Sequence, residues 1–388
     1  MSQKNWRPEI EECRFVLEEM VKINTCQPEG NEKDLVAWIQ EQLPEGTSCK
    51  VLDHGNNRGS LIVQIGDGSK KGGLAFVGHI DTVACGELSA WKYPPHDAAM
   101  EGKIMYGRGT SDMKGGDAAM LLLLKQLLKE EALLNCPIYF CFTADEENGG
   151  MGICAIAESK ELDEVKQMII CEPSDEQISI CEKGALWLRF VARGKGSHAS
   201  RPDLGINAVE YAYHLADRIR DCVESFPAHP VLGSATASIT SFNGGIMPNM
   251  IPSSSEMIMD IRTVPGVDHN EILDRAKNEI HKMEESFPGL SFSVEVLNNR
   301  SAVGTSEENS MVQAFVDLAK EEGLSEKVRG TYFYTDASQI IPQMGIPFII
   351  AGPGDDKLAH CTDEHIALDS VARFASMYYR YVKQNLCE

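Results

Sequence analysis

No C-x-x-C pair occurs among the twelve cysteines of this 388-residue chain. Most of them sit in apolar runs, as Cys141 does in Tyr139-Phe140-Cys141-Phe142. That placement reads as buried free thiols and argues against a disulfide framework. A catalytic cysteine is the weaker alternative, with Cys361 beside His360 as its candidate. Long apolar runs are also missing: the longest, Ala118 to Leu124, falls far short of the roughly 20 residues a membrane-spanning helix needs. The opening Met-Ser-Gln-Lys-Asn-Trp-Arg carries no apolar core of a signal peptide, so a cytoplasmic location is the expectation. Basic residues are scarce. Thirty-six Lys and Arg against 58 Asp and Glu give a net charge of −22, which argues against nucleic acid and anionic membranes as partners, since both need a basic footprint. Low-complexity stretches and internal repeats are absent.

What is present is the profile of a folded globular protein, with 43% apolar and 24% charged residues. A chain of this length outgrows one ordinary core, and two domains are expected. Ile10 to Ile23 and Glu32 to Leu43 have helical spacing. Ser60 to Ile65, Leu74 to Val77, Pro137 to Thr143 and Gln167 to Cys171 are apolar runs of strand length, and Asp117 to Leu128 reads as a buried helix. Such alternation predicts an α/β domain with a mixed, largely parallel sheet. From about Glu182 the rhythm changes. Ala185 to Ala192, Ala235 to Phe242, Ser255 to Arg262 and Leu290 to Val296 are strand-like; Gly205 to Cys222 and Asp268 to Ser286 are helical, with Asp268 as a cap. The order βαββαβ is ferredoxin-like. The expected division is a catalytic domain in two parts, 1–181 and 297–388, with an inserted domain at 182–296. Met311 to Glu322, Phe348 to Ala351 and Ser370 to Gln384 are the helix, strand and helix that return to the first domain.

Five potential metal ligands lie at or just beyond strand ends, where open α/β sheets collect their ligands. His79 and Asp81 follow Leu74-Ala75-Phe76-Val77, on one side of an extended chain. Asp112 lies in the glycine-rich Gly107-Arg108-Gly109-Thr110-Ser111-Asp112-Met113-Lys114-Gly115-Gly116; taken alone, it reads as a helix cap. Those glycines do not fit G-x-G-x-x-G, so no dinucleotide fingerprint is present there. The looser Gly194-Lys195-Gly196-Ser197-His198-Ala199 lacks the acidic residue that a dinucleotide enzyme needs. Asp145, Glu146 and Glu147 crowd three acids at the end of an apolar strand, which calls for a compensating cation unless the turn is simply solvated. Glu172 closes Ile170-Cys171, and His360 ends Gly354-Asp355-Asp356-Lys357-Leu358-Ala359. His365 is assigned no metal role. Nitrogen and oxygen donors in two sets with a shared carboxylate suit a pair of zinc ions.

With these motifs in this order, the chain resembles the dinuclear-zinc family of acetylornithine deacetylase, succinyl-diaminopimelate desuccinylase, aminoacylase and the glutamate-releasing carboxypeptidases. The resemblance spans essentially the whole chain. It implies that Asp112 bridges two Zn2+ ions, with His79 and Glu172 completing one site and Glu147 and His360 the other. It further implies Glu146 as general base, Asp81 as the orienter of His79, and a cis peptide at Asp112–Met113. Co2+ or Mn2+ would suit the same ligands. In the inserted domain, read as a lid, the resemblance makes His198 an oxyanion donor, often across a homodimer interface. It places Asn249, in Asn249-Met250-Ile251-Pro252, on a substrate-facing loop and gives Arg262 the substrate carboxylate. The expected substrate is an N-acyl amino acid. The alternatives are a dipeptidase, tripeptidase or carboxypeptidase acting on short peptides, or a non-catalytic binding protein, which the presence of Glu146 disfavours.

Overall fold

Strands covered on both faces carry no polar alternation, and two segments of this chain have that character from end to end. In the computed structural model, which describes residues 6–387, every residue of Gly73–His79 and of Ile138–Thr143 is buried. The chain divides into two compact units, one of residues 1–180, 304–329 and 335–388, the other of 181–303 and 330–334.

The first unit begins with α1 (Ile10–Lys22), α2 (Glu32–Glu41), β1 (Ser48–Gly55), β2 (Arg58–Ile65), β3 (Gly73–His79), α3 (Lys114–Lys129), β4 (Ile138–Thr143), α4 (Met151–Ser159) and β5 (Val165–Pro173). The second unit supplies β6 (Gly184–Arg193), α5 (Ala208–Glu224), β7 (Thr236–Gly244), β8 (Ser254–Thr263), α6 (His269–Ser286) and β9 (Ser291–Arg300). The chain then returns through α7 (Ser310–Glu321), α8 (Ala337–Met344), β10 (Phe348–Gly352) and α9 (Leu368–Asn385).

In the first unit the strands run in the order β1-β2-β4-β3-β5-β10 within a mixed sheet. The four from β4 to β10 are parallel, while β1 and β2 add an antiparallel edge. His79 pairs with Thr143, so the carboxyl ends of β3 and β4 lie side by side. Helix α3 is buried along most of its length and packs against α1, α9 and the strands. Its close approach explains two glycines: a Cβ on Gly116 would stand 2.0 Å from the carbonyl oxygen of Cys171, and one on Gly115 would stand 2.6 Å from that of Thr110.

The second unit is a four-stranded antiparallel sheet, β7-β8-β6-β9, with α5 and α6 on one face. That is the ferredoxin-like order expected from the βαββαβ rhythm. Leu186, Leu188 and Phe190 alternate with half-buried neighbours, as do Met257, Met259 and Ile261. Two boundaries differ from the periodicity. Helix α5 starts at Ala208 because the Asn207 side chain accepts from the amides of Val209 and Glu210. Strand β9 continues to Arg300, since Asn298 and Asn299 still pair with Trp187 and Leu186. Asp268 caps α6 as read from the sequence, accepting from Asn270.

Candidate metal centre

The carboxyl ends of β3, β4 and β5 deliver His79, the Asp145–Glu147 turn and Glu172 to one edge of the first unit's sheet. The loop before α3 brings Asp112, and the segment after β10 brings His360. Asp112 stands between the imidazoles: its Oδ1 lies 3.1 Å from His79 Nε2 and its Oδ2 lies 3.4 Å from His360 Nε2. Glu172 approaches His79 Nε2 at 3.5 Å, and Glu147 accepts from His360 at 2.9 Å. Ligand atoms of His79, Asp112 and Glu147 lie within 4.8 Å of one another, and so do those of His79, Glu146 and Glu172. All five expected ligands are therefore gathered, with Glu146 among them. Asp112–Met113 is cis, as expected.

Three expectations need correction. Asp112 is not a helix cap: Met113 occupies that position and no side chain caps α3. The partner of His79 Nδ1 is the main-chain oxygen of Asp81 at 2.9 Å, while its carboxylate is 3.7 Å away. That carboxylate instead accepts from the amides of Glu146 (3.1 Å) and Glu147 (3.3 Å) and from Gln27 Nε2 (2.8 Å). Asp81 thus fixes the imidazole with its backbone and the acidic turn with its side chain. Nor do three acids share one crevice, because Asp145 pairs with Arg58 at 2.8 Å.

Electrostatics separate the groups. Burial raises the carboxyls of Glu146 and Glu172 well above the usual range, and that of Glu147 upward as well. Burial pulls His79 down, yet the Glu172 and Asp112 carboxylates overcome it and hold the imidazole well above its ordinary value. Burial would raise Asp112, but hydrogen bonds from His360 and His79 hold it below the usual range. His360 is pushed up to about 10 by its hydrogen bonds to Asp112 and Glu147. Oε1 of Glu146 and Oε1 of Glu147 are buried with no hydrogen-bond partner. Two imidazoles, a carboxylate between them and unpartnered carboxylate oxygens are a donor set that fits two hard-to-borderline divalent cations.

Sequence reasoning missed Glu364. Its buried carboxylate accepts from the amides of Gly109 (3.0 Å), Ser111 (2.8 Å) and Asp112 (2.9 Å) and from Arg108 Nη1 at 2.6 Å. It shapes the loop that presents Asp112. Lys114, also buried, donates to the Met20 and Ile23 carbonyls at the end of α1 (3.0 and 2.9 Å). His365 bonds the Asp363 carbonyl and its ring lies tilted against Tyr106, and Cys361 is exposed with its thiol toward the Lys357 carbonyl.

In the second unit, Ser197–His198 pairs antiparallel with Met250–Ile251, and the Ala199 amide donates to the Asn249 carbonyl at 2.9 Å. His198 is thus paired with Met250, the residue next to Asn249. The exposed His198 bonds Ser200 Oγ through Nδ1 at 2.8 Å. Arg262 is forked onto Asp260 through Nε and Nη2 at 3.2 and 3.1 Å.

Comparison with known proteins gives a family and a fold. The family model described as peptidase family M20/M25/M40 matches residues 75–384. A Staphylococcus epidermidis protein named "Probable succinyl-diaminopimelate desuccinylase" is 27% identical over 395 residues, covering 94% of this chain and 95% of its own. Among solved structures, an aminopeptidase from Bacillus cereus superposes with a TM-score of 0.78 at 20% identity, over 97% of this chain and 98% of that one. A dinuclear metal-binding peptidase of Bacillus subtilis superposes with a TM-score of 0.68 at 16% identity, over 97% and 98% of the two chains.

Proposed function

The chain belongs to peptidase family M20/M25/M40, a metallohydrolase family, and from that premise we propose that it removes an N-acyl group from an amino acid or a related carboxylate. The observation that carries this reading is the Asp112 carboxylate with one oxygen toward each imidazole, beside the unpartnered oxygens of Glu146 and Glu147. His79, Glu172 and Asp112 would hold one Zn2+ and Glu147, His360 and Asp112 the other, with Co2+ or Mn2+ as substitutes. When bound, such ions supply Lewis acidity that acidifies water and polarises the scissile carbonyl.

The chain's own residues do the rest. Glu146 takes the proton of the attacking water on its carboxylate and returns it to the departing amine. Burial raises its carboxyl above the usual range, which makes its carboxylate a stronger base. Asp81 keeps Glu146 in place by accepting its amide and aims His79 by its carbonyl. From the second unit, His198 would donate to the developing oxyanion, and Asn249 would line the substrate loop. Arg262 would bind the substrate carboxylate in a two-pronged contact while keeping or exchanging Asp260. A homodimer through the second unit accords with this role of His198.

The Bacillus cereus likeness favours a second reading, cleavage of short peptides, because that neighbour is named an aminopeptidase. Zinc-loaded protein assayed against N-acetyl and N-succinyl amino acids and against di- and tripeptides separates the two. Turnover of the acylated set is the predicted result. Turnover of peptides alone replaces the first reading with the second, and no turnover of either set contradicts both.

A further inference from the structure

Cys26, Cys85 and His96 meet elsewhere in the first unit, none of them a part of the centre just described. Cys26 Sγ lies 3.5 Å from Cys85 Sγ and 3.8 Å from His96 Nε2, and Cys85 Sγ lies 3.6 Å from the same nitrogen. These three edges form a nearly equilateral triangle of soft donors. A tetrahedral zinc, with bonds of about 2.3 Å to sulfur and about 2.0–2.1 Å to nitrogen, sets its donors about 3.8 Å apart for two sulfurs and about 3.6 Å for sulfur and nitrogen. The observed edges match those spacings to within about 0.3 Å.

The surroundings fit a ligand set. His96 Nδ1 lies 3.2 Å from the Val21 carbonyl oxygen, a partner that keeps the proton on Nδ1 and turns the Nε2 lone pair toward the sulfurs. Thr82 Oγ1 donates to Cys26 Sγ at 3.3 Å, a bond that favours the thiolate, and Trp91 Nε1 ties down the Cys85 carbonyl at 2.8 Å. All three residues are half-buried. No local spacing announces the cluster, because positions 26, 85 and 96 come from separate loops.

We propose that Cys26, Cys85 and His96 bind one thiophilic transition-metal cation of the zinc class, at a site distinct from the paired centre. Binding forms two sulfur–metal bonds and one nitrogen–metal bond, and each thiol releases its proton to solvent with no change of oxidation state. The ion acts as a clip. Cys26 and Thr82 are joined by a parallel bridge, and Gln27 next to Cys26 donates both its amide to the Thr82 carbonyl (2.8 Å) and its side chain to Asp81 Oδ2 (2.8 Å). Fixing Cys26 against Cys85 therefore braces the aspartate that holds the Glu146–Glu147 turn.

The test is a Co2+ titration of the reduced, metal-free full chain, followed by near-ultraviolet absorbance. A sulfur-to-cobalt charge-transfer band saturating at one equivalent of thiolate-bound ion is expected, because the paired centre contains no sulfur donor. Cys26→Ser and Cys85→Ser should each abolish the band, and His96→Ala should weaken Co2+ binding there about tenfold or more. Asp112→Ala, which damages the paired centre alone, should leave the band intact while hydrolysis is lost, so failure of this site and failure of the proposed activity are told apart. A reduced wild-type chain without the band, or a band that survives both serine substitutions, overturns the proposal.

Discussion

Glu146 and Glu147 are neighbours in the chain with different surroundings. Glu147 gives one oxygen to His360, whereas Glu146 is buried with Oε1 unpartnered and its carboxyl raised by burial. Replacing Glu146 by Gln keeps the shape and removes the basic oxygen. Turnover is expected to fall by about 100-fold to 10,000-fold, with two metals per chain retained; kcat and metal analysis check both. Near-normal turnover would remove Glu146 from the mechanism. His360 gives a pH signature in metal-free protein. Its imidazole is raised from 6.5 to about 10, so the folded state binds a proton that the unfolded chain has released. The stability this gives is complete below pH 6.5 and lost as pH rises through 10. Denaturation midpoints of the chelated protein should fall across that window more for the wild type than for His360→Ala, and equal falls contradict the pairing. At this scale His79 after Phe76-Val77-Gly78 and Glu172 after Ile170-Cys171 stood out because an apolar run stops there, whereas Asp112 and His360 were marked only by the family resemblance. The exact work of Asp81 was not legible, because a sequence does not distinguish a residue's carbonyl from its carboxylate.

The loop Gly107–Asp112 is turned on itself by Thr110, which bonds the Gly107 carbonyl, and is held by Glu364, a partner 252 to 255 residues away in sequence. Three amides and Arg108 converge on one buried carboxylate. Glu364→Ala leaves the buried Arg108 charge without its carboxylate, with the Cys361 and Ala84 carbonyls remaining, a loss of about 3–5 kcal/mol, and should weaken metal binding as Asp112 loses its seat. Urea denaturation and metal titration measure the two effects; unchanged stability contradicts the role. Elements were readable in proportion to their apolar content. β3, β4 and the central run of α3 are strongly apolar and fell where expected, β4 to within one residue, β3 to within two and α3 to within three at its start. β1 passed unnoticed because none of its residues is buried and its sequence, Ser-Cys-Lys-Val-Leu-Asp-His-Gly, has no apolar run. The short helices α4 and α8 were likewise missed; eight or nine residues offer too few turns to establish a period. Glu364 went unread for a different reason, since a contact across most of the chain leaves no local pattern.

The proposed chemistry has two demands, a rigid sheet edge to hold ions and a surface to read the substrate. The first unit meets the former with parallel strands whose carboxyl ends coincide, and residues from five separate stretches converge there. Crowding four carboxylates near two imidazoles has an electrostatic cost that two cations relieve. Chelation should therefore lower the thermal midpoint of the protein, and re-addition of Zn2+ should restore it; a midpoint unmoved by either treatment speaks against ions at this edge. The βαββαβ order of the second unit was legible because its two central strands, β6 and β8, alternate between buried and half-buried positions, whereas the extension of β9 to Arg300 rests on asparagines that carry no apolar signal. The most direct measurement is anomalous diffraction at the zinc edge from crystals of the zinc-loaded protein. The account predicts two strong peaks flanking the Asp112 carboxylate, one beside His79 and Glu172 and the other beside Glu147 and His360. Density showing no ion at Asp112, with those side chains bound to one another, would contradict it.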